Sequence, residues 1–181
     1  LLGNLQLGSG QLVSNLRYQS DSGPNGDITI SNVPLLEGLS VSSQLTLSPQ
    51  AIVGSGSLDV GDGQITFEGN YGLGVFSTAL FPQGSVSQRV NVRLQNIDIQ
   101  SLPVLANSVP NLQAVLAGRI QISGGQIVGR ILSPELQVLD KRLPLDLDFN
   151  GALSSVELRG TLGRSRINST IDTRHAEGLI V

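Results

Sequence analysis

The side chains that could do chemistry are few and poorly grouped. The chain has no cysteine and a single histidine, His175, in the polar run Thr173-Arg174-His175-Ala176. Without a thiolate, and with one imidazole lacking a ligand at metal-binding spacing, zinc sites and nucleophilic triads have little material. Carboxylates are the remaining material. Asp146 and Asp148 stand two apart in Leu145-Asp146-Leu147-Asp148-Phe149. In a strand, residues i and i+2 share one face, so this pair reads as the polar side of a strand whose other side carries Leu145, Leu147 and Phe149. Asp21-Ser22-Gly23-Pro24-Asn25-Gly26-Asp27 gathers oxygen ligands near a turn. It lacks the Asp-x-Asp spacing and distal Glu of an EF-hand and reads as a surface turn. Gly54-Ser55-Gly56 and Gly72-Leu73-Gly74 open no helix and carry no Lys followed by Ser or Thr, so they are not phosphate loops. Asn168-Ser169-Thr170 fits a glycosylation sequon, a pattern too short to carry weight alone. No enzymatic activity, cofactor or metal is expected.

Composition narrows the partners. Charged residues make up 14% of the 181 and the formal net charge is -3, with Lys141 the only lysine. Such a chain has no field with which to steer nucleic acid. Arginines are scattered singly, among them Arg89, Arg93, Arg119, Arg130, Arg142, Arg159, Arg164, Arg166 and Arg174, as expected of a solvated strand face. There are 22 glycines, six Phe and Tyr residues together and no Trp, so apolar character rests on Leu, Ile and Val. These suit a pleated surface and make a smooth aliphatic lining. No apolar run reaches the roughly 18 residues of a membrane span. The chain starts and stops within apolar, strand-like text (Leu1-Leu2 and Leu179-Ile180-Val181), which reads as a piece of something longer.

The elements that must position these residues are strands. Turn signals recur at Gly8-Ser9-Gly10, Pro24-Asn25-Gly26, Ser48-Pro49, Gly61-Asp62-Gly63, Gly72, Pro82-Gln83-Gly84, Gly124-Gly125, Ser133-Pro134, Asn150-Gly151 and Gly163. Their spacing is that of successive antiparallel strands. Between them apolar and polar residues alternate. Ile65 and Phe67, Val90, Val92 and Leu94, Ile120 and Ile122, Ile127 and Ile131, Leu145, Leu147 and Phe149, and Val156 and Leu158 define one aliphatic face. Gly54, Gly56, Gly69, Gly129 and Gly160 fall inside strands, where they imply bends or close backbone approach. One segment, Ser101 to about Ala117, has Leu102, Leu105, Val109, Leu112, Val115 and Leu116 at spacings of three to four and is expected to be a short helix or irregular linker. The fold class is therefore all-β, an elongated curled antiparallel sheet of roughly a dozen strands with one such linker.

Four passages resemble the C-terminal β-rich region of the TamB family, in the wider AsmA-like group of bacterial bridge-like lipid-transfer proteins. They are Val92-Arg93-Leu94-Gln95-Asn96-Ile97-Asp98-Ile99, Leu116-Ala117-Gly118-Arg119-Ile120-Gln121-Ile122-Ser123-Gly124-Gly125, Leu143 to Gly151, and Val156 to Gly163. The resemblance runs from about Arg89 to Ile171. Residues 88–181 read as the family-like segment, and residues 1–87 match it in texture only, within one continuous structure. It implies a sheet curled into an open trough, a β-taco, with an aliphatic inside and a polar outside. It further implies a periplasmic module of a protein anchored in the inner membrane, meeting an outer-membrane barrel of the TamA type and carrying phospholipid acyl chains. The aliphatic residues named above would then line the lipid groove. Two other readings stand beside it: a structural β-solenoid of a secreted surface protein, and a chaperone-like groove for strands of nascent outer-membrane proteins.

Overall fold

The computed structural model describes residues 2–19, 23–36, 38–72, 88–102, 112–138, 140–152 and 154–172. They form a single antiparallel sheet of twelve strands in chain order. The strands are β1 (Leu2–Leu7), β2 (Gly10–Gln19), β3 (Gly23–Leu36), β4 (Leu39–Leu47), β5 (Ala51–Val60) and β6 (Gly63–Gly72). They continue with β7 (Arg89–Asp98), β8 (Leu112–Ser123), β9 (Gln126–Val138), β10 (Lys141–Ala152), β11 (Ser155–Leu162) and β12 (Ser165–Asp172). Each strand pairs with its neighbours in the sequence, and the sheet is open, with β1 and β12 as its edges. The all-β expectation holds.

Directly paired residues on antiparallel neighbours point to the same side, so the register can be followed from strand to strand. One row crosses the whole sheet: Leu5, Leu12, Ile30, Ser43, Gly56, Phe67, Val92, Ile120, Gly129, Phe149, Leu158 and Ser169. Two residues away on one side runs Val41, Leu58, Ile65, Leu94, Gly118, Ile131, Leu147, Gly160 and Ile167. On the other side runs Ile28, Leu45, Gly54, Gly69, Val90, Ile122, Ile127, Gly151, Val156 and Ile171. The opposite face is polar, for example Thr66, Arg93, Arg119, Arg130, Asp148, Arg159 and Asn168 in one row.

At one end of the strands this regular ladder breaks along a line. β3 carries an extra residue between Ile30 and Val33, β7 between Leu94 and Ile97, and β9 between Ser133 and Leu136. Asn32 and Asn96 take positive φ there, 49° and 52°. Asn tolerates this left-handed conformation better than any residue but Gly, because its short amide can bond locally. Pro134 and Pro144 both fall in the unpaired stretch of the β9–β10 register, where no ladder N–H is needed. Bulges bend and over-twist their strands. Here they accompany the best-buried part of the aliphatic face: Val60 and Ile97 are 0% exposed, and Ile99, Ala114 and Leu136 cluster with Leu112, Leu116, Leu145 and Leu162.

Several local expectations are corrected. Of the segment expected as a short helix or irregular linker, Leu112 to Ala117 belong to β8, Ser101 closes a 3-10 turn that begins at Ile99, and residues 103–111 lie outside the described ones. The spacing of three to four included Val115, which is 46% exposed, whereas Leu112, Ala114 and Leu116 alternate like the rest of β8. Pro24-Asn25-Gly26, Ser133-Pro134 and Asn150-Gly151 lie inside strands instead of at turns. Gly26 and Gly151 sit at φ 146° and 152°, and an added Cβ at either would collide with the backbone of Asn15 or Ser155. These are strand glycines required by close approach, and local composition does not distinguish them from turn glycines. Pro82-Gln83-Gly84 and His175 lie outside the described residues.

The interior glycines do mark close approach. The ring of Phe149 lies over Gly129, and that of Phe67 over Gly56, where a Cβ would meet Cζ at 2.5 Å. Gly129→Val is therefore expected to destabilise the protein by about 1–3 kcal/mol through overpacking, read as a lower urea midpoint. Asn96→Ala should cost about 1–2 kcal/mol for the left-handed backbone, while Asn96→Gly should stay within a few tenths.

Candidate functional site

The aliphatic rows make the most distinctive surface of the protein. Every aliphatic position picked out by alternation falls on this one face. Ile65, Phe67, Val90, Val92, Leu94, Ile120, Ile122, Ile127, Ile131, Leu147, Val156 and Leu158 are each half-buried. A single pleated sheet with no covering layer among the described residues leaves such side chains partly in water, sheltered by their row neighbours. Two positions behave differently. Phe149 is 7% exposed, its ring folded onto Gly129, and Leu145 packs against the Ile99, Ala114 and Leu136 cluster. Leu145 serves as packing at the bulged end, and Phe149, in the central row, covers Gly129 instead of lining open space.

The strip is continuous in the direction that crosses the strands. Twelve strands at about 4.8 Å spacing give a row on the order of 50 Å long if laid flat. Polar interruptions are few. Ser43 is buried in the central row, and its hydroxyl donates to the Ser55 carbonyl at 3.1 Å. Ser133, opposite Leu145, is buried with no partner for its Oγ among the described residues.

The resemblance implied a hollow lined by the aliphatic face. A hollow of about 1010 Å³ is bordered by Ser42, Ser57, Thr66, Arg93, Arg119 and Arg130 of the opposite face together with Ile30, Phe67, Val92, Ile120 and Gly129 of the central row. Side-chain size accounts for the share of the opposite face. Leu, Ile and Phe fill the space over the glycines of their own face, whereas Ser and Thr on the other face are short. The aliphatic side is thus a packed strip with grooves between side chains, and acyl-sized space on it would come from side chains parting.

The polar face explains the carboxylate pair. Arg130 grips Asp146 with two bonds, Nε to Oδ1 at 2.8 Å and a second nitrogen to Oδ2 at 2.5 Å, and lies 3.7 Å from Asp148. The hydrogen bond from Arg130 and its charge hold the Asp146 carboxyl below its ordinary value, and the same contact raises Arg130. Arg142 with Glu135 (3.4 Å) and Arg159 with Glu157 (2.8 Å) are further exposed pairs. Exposed pairs of this kind contribute little stability. Among the described residues, no three His, Cys, Asp or Glu side chains converge as a metal site would, and no helix is long and apolar enough to cross a membrane. Sequence reasoning missed the Arg93, Arg119 and Arg130 ladder, because its members are far apart in the chain and meet only through the β7–β8–β9 register.

No protein-family model, curated protein or solved structure matches this chain.

The ion pair has a pH signature. A carboxyl whose folded pKa is lowered contributes stability above its unfolded pKa, and that contribution is lost as pH falls through the folded value. The urea midpoint of the wild type should therefore exceed that of Asp146→Asn by a small, constant amount above about pH 5. The difference should shrink below about pH 4. Paired urea titrations at pH 6 and pH 2.5 check both the sign and the window.

Proposed function

We propose that this chain is a non-catalytic, lipid-contacting module whose aliphatic strip receives acyl chains. The observation that carries the reading is the segregation of faces: one row crosses all twelve strands and two aliphatic rows flank it over nine and ten of them, half-exposed, while the other face is mainly polar, with Val13, Val53, Val115, Val128 and Leu132 as its exposed aliphatic members. Acyl chains need a dry, continuous path without hydrogen bonds, and each CH₂ withdrawn from water contributes about 0.8 kcal/mol. Leu, Ile and Val supply such a path, and the absence of charge from the rows avoids unpaired buried ions. Along the central row the polar side chains are the satisfied Ser43 and, on the edge strand β12, Ser169, so a chain crossing the strands between them meets no polar side chain.

A place in the bacterial envelope belongs to the same proposal and rests on the TamB-like motifs. The parent protein would be anchored in the inner membrane, would cross the periplasm, would meet a TamA-type barrel and would support outer-membrane biogenesis by phospholipid transport or protein assembly. A purely structural reading is favoured at one end only. There the same face becomes a filled core around Ile97, Ala114 and Leu136. The lipid-contacting region is accordingly assigned to the part of the strip away from the bulges, through Val92, Ile122, Leu147 and Leu158.

A photoreactive side chain at Ile122 or Leu158 is expected to crosslink to phospholipid, and one at Gln121 or Arg159, on the other face, is not. Ile122→Asp or Leu147→Asp should reduce copurifying lipid about tenfold by mass spectrometry, with strand content unchanged by circular dichroism. Phospholipids with different headgroups but the same chains should label within a few-fold of one another. Equal labelling from both faces would remove the strip as the lipid path.

A further inference from the structure

We infer that the polar face carries a separate oxyanion site, in which Arg93 and Arg119, with the hydroxyl of Thr66 beside them, bind a phosphoryl group. This rests on the register and not on the acyl-chain reading. Arg93 on β7 is paired directly with Arg119 on β8, and Arg119 with Arg130 on β9. Like charges directly opposite one another in a sheet are unfavourable, so three guanidinium groups in adjacent positions call for compensation. Arg130 has it in Asp146 and Asp148. Among the described residues, Arg93 and Arg119 have no carboxylate within ion-pair distance.

These two side chains border the hollow of about 1010 Å³. Thr66 is paired directly with Arg93, and Ser57 with Thr66, so two half-buried hydroxyls continue the same row away from the arginines. Adjacent strands lie about 4.8 Å apart, which lets two guanidinium forks from neighbouring strands converge on one tetrahedral anion. The fork matches paired phosphoryl oxygens, and arginine, unlike lysine, recognises them through a fixed planar geometry. Short neighbours leave room beside the anion for the molecule that bears it. The source of the phosphoryl group is either a soluble phosphate compound or the headgroups of an anionic membrane surface, and both would engage the same atoms.

The test is NMR of the arginine Nε–Hε groups of the intact 181-residue chain. Inorganic phosphate is titrated in one arm and phosphatidylglycerol vesicles are added in the other. The site predicts saturable shifts of Arg93 and Arg119 with phosphate, vesicle binding that requires both arginines, or both results. Arg93→Gln and Arg119→Gln should each weaken the engaged ligand at least tenfold. Arg166→Gln, exposed on the same face of β12, should leave it unchanged, and Arg93→Lys should recover only part of the affinity. Phosphate shifts without vesicle binding identify a soluble ligand, and arginine-dependent vesicle binding identifies a headgroup. The absence of both, or an equal loss in Arg166→Gln, would overturn the site. Lipid crosslinking at Ile122 should be the same in Arg93→Gln as in the wild type, which keeps this result independent of the acyl strip.

Discussion

Everything distinctive about this protein hangs on the phase of one antiparallel ladder. In a strand the side chains alternate with a period of two, so a slip of one residue at any interface would transfer every later aliphatic side chain to the polar face. The register nevertheless keeps one central row in phase from Leu5 to Ser169. Tight turns such as Gly8-Ser9, Gly61-Asp62, Gly124-Gly125 and Gly163-Arg164 hold the phase, each set by a glycine with φ near 60°. Where extra residues enter, at the bulges of β3, β7 and β9, they do so near one end of the strands, so the phase of the long regular part is undisturbed.

That localisation gives the sheet two ends of different character. At the bulged end the strands bend, Val60 and Ile97 are sealed from water, and a small aliphatic core forms without a second layer among the described residues. Away from it the same face is half-exposed. A single sheet of this width has too little interior to bury its apolar side completely, and an open apolar face is a liability unless something covers it. The proposed acyl-chain role turns that exposure into the working surface. The glycines take part in the same balance: Gly56 and Gly129 make room for Phe67 and Phe149, which lie flat across them and smooth the strip.

The two faces also divide the chemistry. Hydrophobic contact on one side is insensitive to headgroup identity, because nothing in the aliphatic rows can read one. Charge on the other side is arranged in ladders, with Arg130 compensated by Asp146 and Asp148 and its neighbours Arg93 and Arg119 without a carboxylate partner among the described residues. Among the described residues, one sheet thus offers an apolar strip and a hollow bordered by arginines and hydroxyls.

The class of fold and the membership of each face were legible in the residues themselves. Alternation such as Val90, Val92 and Leu94 against Arg89, Asn91 and Arg93 specifies both a strand and its sides, because the period of two is a local property of the backbone. The absence of a thiol and the scarcity of histidine were likewise plain from the inventory. What the chain text left ambiguous were features defined by a partner strand. Gly26 and Gly151 looked like turn residues, yet lie in strands because Asn15 and Ser155 press against them. Val115 lent β8 a helical spacing that its pairing with β7 and β9 overrides. The burial of Phe149 and Leu145, the hollow bordered by arginines and hydroxyls and the meeting of Arg93 with Arg119 required the tertiary structure. Each depends on which residues face one another across strands, and a residue's partner on the next strand is not visible in its own sequence neighbourhood.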